Sequence, residues 1–327
     1  MLFYESPSTD PYTNLAAEEV LFTLVPPKQR LLMLWQNRDC VVVGKYQNTV
    51  EEINVRYVSE HDLPVVRRLS GGGAVYHDEG NLNYTVIQDL SPGETPDFRP
   101  FAAPVIRALA RLGVTADFTG RNDVAVDGRK ISGGAQYVKN GRVLHHGCIL
   151  LNADADKIAA ALRVSEAKFR SHGVRSVTSR VAGINAYAPR PIPMEELRQT
   201  LREEFLASEE CRPFVLSPEA EREIQRLRRE KYITREWNYG FGGAYSVTKE
   251  RRFPAALLRA EYDADENAIA SIRFSGDFFG EGEIAELEEK LRGRPLDESL
   301  LPALETMDVG RYIRGVTPRE LYELLVY

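Results

Sequence analysis

The sequence predicts an α+β protein made of two units, and three observations point there. Strand-like runs joined by tight-turn signals recur through the first two-thirds of the chain, with helical stretches between them but no strict strand–helix alternation. At 327 residues the chain is long for one domain, and 43% of it is hydrophobic, enough to fill more than one core. The stretch NYGFGGAYSVT, at 238–248, gathers glycine and turn formers between two patterned regions. The expected division is residues 1–246, followed by a small α/β unit of residues 247–327.

Taken in order, NLAAEEVLFTLV reads as a helix capped by Asn14. It carries glutamates in its first turn and Leu15, Val20, Leu21 and Leu24 as apolar side chains, and Pro26 and Pro27 stop it. Leu31–Trp35 and Cys40–Val43 are rich in residues that suit a pleated surface. Residues 63–68 form another short apolar run that leads into a glycine-rich loop, with 82–87 expected as its hairpin partner. Helices recur at 105–112, closed by Gly113, and at 157–162, where Ile158 and Leu162 share a face. Between them Asp123–Val126 and 130–132 bracket Asp127 and Gly128, a hairpin turn pair. A strand is expected at 144–151, a helical stripe at Leu197, Leu201 and Phe205, and a further helix opened by Ser217 and Pro218. Past the connector come strands at 256–262 and 269–274 and a helix with Ile284, Leu287 and Leu291 on one face. A last helix opens with Thr317, Pro318, Arg319 and Glu320 as a capping box.

Net charge is −6, which argues against a nucleic-acid coat or a basic membrane binder. The cysteines Cys40, Cys148 and Cys211 are scattered and odd in number, so neither a disulfide framework nor a zinc site is suggested. No basic start precedes an apolar run, and no stretch approaches the roughly 18 apolar residues that span a bilayer. The expectation is a soluble, cytoplasmic protein with no membrane and no nucleic-acid partner.

Three segments carry chemistry. In RRLSGGGAVYHD, three consecutive glycines after a strand let the backbone approach a ligand and aim several N–H groups at it. Arg68 adds a positive charge able to grip phosphate or carboxylate, and Ala74, Val75 and Tyr76 offer an apolar wall. No Gly-Lys-Ser/Thr follows, so this is not a Walker A loop; taken alone, the glycines read equally well as a flexible turn. The second segment, RNDVAVDGRKISGGA, sets one lysine, Lys130, between strand residues and a glycine pair. Such a lysine can stabilise charge growing on an α-phosphate, and Asp123 can hold Mg²⁺ directly or through water. For a lone lysine on a hairpin, simple solvation is the favoured reading, and two glycine-rich, basic loops in one half-chain shift the balance toward an anion site. In the third segment, LHHGCILL, adjacent residues of a strand face opposite ways, so His145 and His146 are not expected to share a metal. Cys148, among apolar neighbours, reads as a buried and inert thiol. A fourth stretch, RSHGVRSVTSR, carries three arginines and no acid; it reads either as an exposed basic loop or as a lid or contact for an acidic partner.

Together these segments closely resemble the lipoate–protein ligase family. NLAAEE, LWQN with VVVGKYQN, RRLSGGGAVYHDEGNLNYT, GRNDVAVDGRKISGGAQ, HHGCILLNAD and GVRSVTSRV stand in the family's order and spacing. The tail with FSGDFFGEGEIAELEEKLRG resembles the accessory domain of its longer bacterial members. The resemblance implies a catalytic domain of the biotin- and lipoate-ligase fold, related to biotin synthetases and class II aminoacyl-tRNA synthetases, with a small α/β domain behind it. It also implies a reaction in which lipoate and ATP, with Mg²⁺, form lipoyl-adenylate and pyrophosphate. The lipoyl group then passes to a lysine of an apo-lipoyl domain, in a 2-oxoacid dehydrogenase E2 subunit or in glycine-cleavage H protein. Residue by residue, it makes Arg68 an ATP-binding arginine, and Gly72, Gly73, Ala74, Val75 and Tyr76 the segment lining the adenylate. Lys130 becomes the lysine that meets both the nucleotide phosphate and the lipoyl carbonyl oxygen. Asn81, Asn83 and Asp123 fall in the polar shell, and His146 borders the lipoyl pocket.

SRVAGI departs from the family's pattern, in which an asparagine follows SRV. Octanoate, with the same carboxylate and a similar chain length, is an alternative acyl substrate. One rival is a cysteine-dependent octanoyl or lipoyl transferase of the same fold. Its cysteine would precede the His-Gly pair, where Val143 and Leu144 stand here, and Cys148 comes after Gly147. The other is a non-catalytic module that binds lipoate or adenylate.

Overall fold

The computed structural model describes residues 1–163, 181–207, 210–240, 245–265 and 268–327; the basic stretch at 170–180 lies outside the described residues. An eight-stranded mixed sheet forms the centre. Edge to edge it runs Arg212–Pro213, Leu2–Glu5, Leu31–Trp35, Asn81–Asp89, Arg142–Leu150, Arg129–Lys139, Asp123–Val126 and Asp117–Thr119. Alternation along Leu31–Trp35 assigns each residue to one of two cores. Leu32 and Leu34 pack with Phe101, Val105, Leu197, Leu201 and Phe205 on one face, and Leu31, Met33 and Trp35 with Leu15, Leu21 and Ile224 on the other. Such a strand buried on both faces reads as a continuous apolar run, which is how LLMLW appears in the sequence.

Several expected elements form as read. Asp127 and Gly128 both take positive φ, 50° and 74°, and turn Asp123–Val126 into Arg129–Lys139. Ser217 caps Pro218–Leu227, and the Thr317–Glu320 box caps Pro318–Val326. Two expectations change. The first helix is Pro11–Leu24, capped by Asp10, whose carboxylate accepts the Thr13 N–H at 3.1 Å, with Pro11 pre-set in the first turn. Asn14 is buried inside that helix, where its amide donates to Ser8 O, Gln36 O and Asn37 Oδ1. The run 82–87 is not the hairpin partner of 63–68. Val65–Arg67 instead lies parallel to Cys40–Val43, whose other edge takes Val75–His77, completing a separate three-stranded sheet. Asn81–Asp89 pairs with Leu31–Trp35 and Arg142–Leu150. Both candidates are apolar runs of strand length, and nothing local distinguishes their partners.

Beyond Ser246, an antiparallel sheet of Val247–Phe253, Ala256–Asp265 and Ala268–Asp277 carries Ile284–Leu291, Leu300–Glu305, Val309–Tyr312 and Pro318–Val326 over a core that includes Leu258, Phe274, Leu287, Leu304 and Leu321. Val247–Phe253 was not expected as a strand, since VTKERRF is an exposed, mostly charged edge without the alternation a half-buried strand shows. Tyr46, from the first half of the chain, enters this core and stacks on Phe278 at 4.5 Å and 4°. Gly276 N–H donates to Tyr46 O at 3.0 Å, and Lys45 pairs with Glu283 at 2.8 Å.

Arg67 explains how these pieces stay in register. Its side chain is fully buried, and its guanidinium donates to Gly44 O, Lys45 O, Gln47 O, Thr49 Oγ1, Trp237 O and Asn238 O at 2.7–3.1 Å. One cation thus closes the 44–49 turn and docks the end of the Arg235–Tyr239 helix against it. Arg67→Met keeps the bulk and orphans these acceptors. It should therefore cost at least about 3 kcal/mol in a urea unfolding titration, and an unchanged midpoint would refute this role.

Candidate functional site

A cavity of about 510 Å³ opens beside the three-stranded sheet. Its lining divides by chemistry. Leu15, Trp35, Val42, Val75, Ala135 and Leu162 supply apolar surface; Arg68, Arg121, Lys130 and Arg252 supply cations; Asp123 and Asp277 supply carboxylates. The expected site residues Arg68, Gly72, Gly73, Ala74, Val75, Tyr76, Asn83, Asp123, Lys130 and His146 all reach this one cavity. Asn81 does not: its amide donates to the Asp78 carboxylate, and its oxygen accepts from Cys148 Sγ at 3.4 Å.

Arg68 sits in its own loop. Nη2 donates to Gly71 O at 2.7 Å and Gly73 O at 2.8 Å, and Nε donates to Ser70 Oγ at 3.0 Å. It therefore shapes the glycine loop from inside while bordering the cavity. Gly72 holds φ at 91°, and a Cβ there would meet Arg68 Nη2 at 3.0 Å. At Gly71 a Cβ would stand 1.9 Å from Phe278 O, so the loop requires glycine because the C-terminal sheet's exit segment presses on it.

Behind the loop lies a buried polar chain that sequence reasoning missed. Trp35 Nε1 donates to Thr85 Oγ1 at 2.9 Å, and the Thr85 hydroxyl donates to Glu18. His146 Nδ1 lies 3.0 Å from Glu18 Oε1, and Ser70 Oγ lies 2.6 Å from His146 Nε2. A carboxylate only accepts, so Nδ1 carries the hydrogen toward Glu18 and Nε2 takes the Ser70 hydroxyl. His145 points the other way, stacked on Phe101 at 4.3 Å, and burial holds its pKa well below the ordinary value. The two histidines thus face opposite sides, as strand alternation requires. Among the described residues no cluster of three or more His, Cys, Asp or Glu gathers to hold a metal.

Lys130 Nζ lies 2.7 Å from Asp123 Oδ1, and a Cβ on Gly133 would fall 2.4 Å from that ammonium. Glycine at 133 therefore leaves room for the lysine to lie along the strand. The Lys130 backbone bridges Val181, and its carbonyl accepts the Ala182 N–H at 2.9 Å. Gly183 passes Leu151–Ala153 at a distance no Cβ would fit, which gives the departure in SRVAGI a backbone rationale. His77 and Asn83 also line the cavity. His77 Nδ1 faces the Asn37 amide at 3.2 Å, while the buried His77 Nε2 and Asn83 Nδ2 have no hydrogen-bond partner among the described residues. Cys148 is only half-buried at the wall, against the expectation of a buried thiol, and desolvation still pushes that thiol up to about 12.

The Gly72 N–H is taken by Phe278 O at 3.3 Å, so the glycine loop offers close backbone approach while the charge comes from the cations. An α+β frame with converging cations beside apolar lining suits a small ligand with an anionic head and an apolar tail. The comparisons narrow that reading. Residues 10–206 match the family model of the lipoyl protein ligase A/B catalytic domain, and residues 243–325 match that of the bacterial lipoate protein ligase C-terminus. Lipoate–protein ligase 1 of Staphylococcus aureus is 38% identical over 97% of this chain and 97% of its own. The lipoate-protein ligase LplJ of Bacillus subtilis is 36% identical over 99% and 100%. Among solved structures, a bipartite lipoate protein ligase of Thermoplasma acidophilum, described with its E2 lipoyl domain, superimposes with a TM-score of 0.65 at 28% identity, covering 75% of this chain and 98% of that one. A lipoate-protein ligase A bound with ATP superimposes with a TM-score of 0.63 at 26% identity, covering 74% and 98%. The chain belongs to the lipoate–protein ligase family, with its catalytic fold and C-terminal domain.

The geometry also makes a pH prediction. Burial first, then the nearby Arg68 charge, lowers the His77 pKa from 6.5 to about 3. A depressed folded value means the unfolded chain binds the proton first. The stability contributed by neutral His77 is complete above about pH 6.5 and is lost as pH falls toward 3. Between about pH 7.5 and pH 5 this one group should remove about 2 kcal/mol. His77→Gln should lose correspondingly less than the wild type when urea midpoints are compared at the two pH values, and parallel losses would contradict the assignment.

Proposed function

We infer that the chain is an ATP-dependent lipoate–protein ligase. It joins lipoate to AMP and then moves the lipoyl group to a lysine of an acceptor protein. The observation that carries this reading is the convergence of Lys130, the Arg68 glycine loop and an apolar slot on one cavity in a chain of this family. In the first step a lipoate carboxylate oxygen bonds to the α-phosphorus of ATP, and pyrophosphate leaves with the electron pair. Lys130 stands where its ammonium meets charge on the α-phosphate and on the lipoyl carbonyl oxygen, and it is aimed by Asp123. Gly72, Gly73, Ala74, Val75 and Tyr76 line the adenylate, Asn83 completes the polar wall, and His146, held by Glu18, borders the acyl chain. Asp123 would hold Mg²⁺ directly or through water, and the ion would supply charge neutralisation at the phosphates. In the second step the acceptor's lysine amine attacks the acyl carbonyl and AMP departs. Positioning and charge suffice, and no enzyme nucleophile is needed.

The acceptors that fit are apo-lipoyl domains of 2-oxoacid dehydrogenase E2 subunits and glycine-cleavage H protein. The Thermoplasma relative described with its E2 lipoyl domain supports the first. We assign residues 1–246 to the catalytic unit and 247–327 to the accessory unit, and place the enzyme in the cytoplasm, where ATP is available. The described residues contain no helix long and apolar enough to cross a membrane.

Lys130→Ala should lower lipoate-dependent pyrophosphate release on the order of 10²–10³-fold, as when one preorganised donor is lost. A folded variant that releases pyrophosphate at the wild-type rate would refute the role. The thioester alternative rests on Cys148, whose thiol is held neutral by burial and hydrogen-bonded to Asn81. Cys148→Ser should therefore fold and keep most of its activity. Intact-mass detection of a lipoyl or octanoyl thioester on Cys148 would instead make the enzyme a transferase.

A further inference from the structure

Among the described residues, three of the four cations that line the cavity already have partners. Lys130 is matched by Asp123 at 2.7 Å and Arg121 by Asp277 at 3.5 Å, while Arg68 is spent on the carbonyls of its own loop. Arg252 is the fourth cation of the lining, and among the described residues it has neither an acidic partner nor a carbonyl to donate to. Its neighbours on the strand are occupied: Lys249 donates to Leu325 O, Glu250 takes Arg259, and Arg251 pairs with Glu323. Strand alternation sends Arg252 to the face opposite Arg251, and that face meets the catalytic cavity. Arg121 lines the same cavity, and burial, with a smaller contribution from the like charge of Arg252, lowers its pKa.

The place of this cation in the site follows from the reading above, on which the inference rests. If the adenylate lies along Gly72–Tyr76 with its α-phosphate at Lys130, the β- and γ-phosphates are best held toward the exposed side of the cavity, because a multiply charged group loses least hydration there. Arg252 is exposed, hence toward the mouth, and it is contributed by the C-terminal sheet. We propose that Arg252 is a triphosphate-binding residue that the C-terminal domain lends to the active site, holding the β- and γ-phosphates and the departing pyrophosphate. When the carboxylate oxygen–phosphorus bond forms, the bond from the α-phosphorus to the bridging oxygen breaks. Its electron pair goes to pyrophosphate, whose added negative charge Arg252 meets in fork geometry. No proton moves in this step. Lipoyl-adenylate has no β- or γ-phosphate, so the second half-reaction has nothing for Arg252 to hold.

That asymmetry is the test. The full-length Arg252→Ala and Arg252→Lys enzymes are assayed for lipoate-dependent pyrophosphate release over a range of ATP. They are also assayed for transfer from premade lipoyl-adenylate to an apo-lipoyl domain, and for inhibition by inorganic pyrophosphate. Arg252→Ala should lower kcat/KM for ATP roughly 10- to 100-fold, the loss of a charge-assisted contact, and weaken pyrophosphate inhibition to a similar extent. Transfer from premade adenylate should stay within about twofold, and Arg252→Lys should recover part of the ATP-dependent loss. Unchanged ATP kinetics would overturn the proposal, and so would an equal fall in both half-reactions, the mark of a merely structural arginine. Absence of lipoate-dependent pyrophosphate release in the wild type would overturn the functional reading, and the proposal with it; a working wild type with an indifferent Arg252→Ala would overturn the proposal alone.

Discussion

The site depends on two adjacent buried arginines that the strand sends to opposite faces. Arg67 and Arg68 end the short Val65–Arg67 strand and its exit, and both are almost wholly removed from water. Burying a guanidinium costs several kcal/mol unless charge-assisted hydrogen bonds replace its hydration. Burial lowers the pKa of Arg67 to about 9 and of Arg68 to about 10, yet each cation stays charged at neutral pH because carbonyl oxygens surround it. Two stretches of backbone present those oxygens. On one side it is the 44–49 turn with Trp237 and Asn238; on the other it is the glycine loop itself. Fold and loop shape are thereby solved together.

From that constraint the rest of the site follows outward. Ser70, fixed by Arg68 Nε, meets His146, and His146 is oriented by Glu18 from a helix 128 residues earlier. Gly71 and Gly72 leave room for Phe278 O and the Phe279 ring, so the C-terminal sheet seats directly on the loop. Arg121 is gripped by that same segment, over the Phe279 ring at 4.5 Å, against Asp277, and through a hydrogen bond to Ala255 O. The second domain is thus part of the cavity wall: Arg252 and Asp277 line it alongside residues of the first.

The segmentation of the chain was legible where local chemistry decides it. LLMLW and CVVV are strands because they are buried on both faces, Asp127 and Gly128 turn because they tolerate positive φ, and Thr317 with Glu320 starts a helix by reciprocal hydrogen bonds. The glycine loop, Lys130 and His146 were legible as candidates because glycine runs and isolated cations stand out, and the resemblance to a family tied them together. The first helix cap was misread for a local reason as well: Asn14 and Asp10 both suit a cap, and it is Pro11, favoured at the first helical position, that makes Asp10 the one.

What the sequence determined by itself, then, is a set of elements and a list of chemically suitable residues, because propensity, alternation and capping act over a few residues. Tertiary structure alone decided which strand accompanies Val65–Arg67, since both candidates are short apolar runs and pairing is set by packing across the sheet. It also decided what each arginine does. Nothing in RRLSGGG says that one guanidinium will staple a turn to the Arg235–Tyr239 helix while the next supports its own loop. Nothing in KERRF says that Arg251 will meet Glu323 while Arg252 faces a cavity built by another domain. Those outcomes depend on acceptors and charges far away in the chain, brought within hydrogen-bond distance only when the cores close.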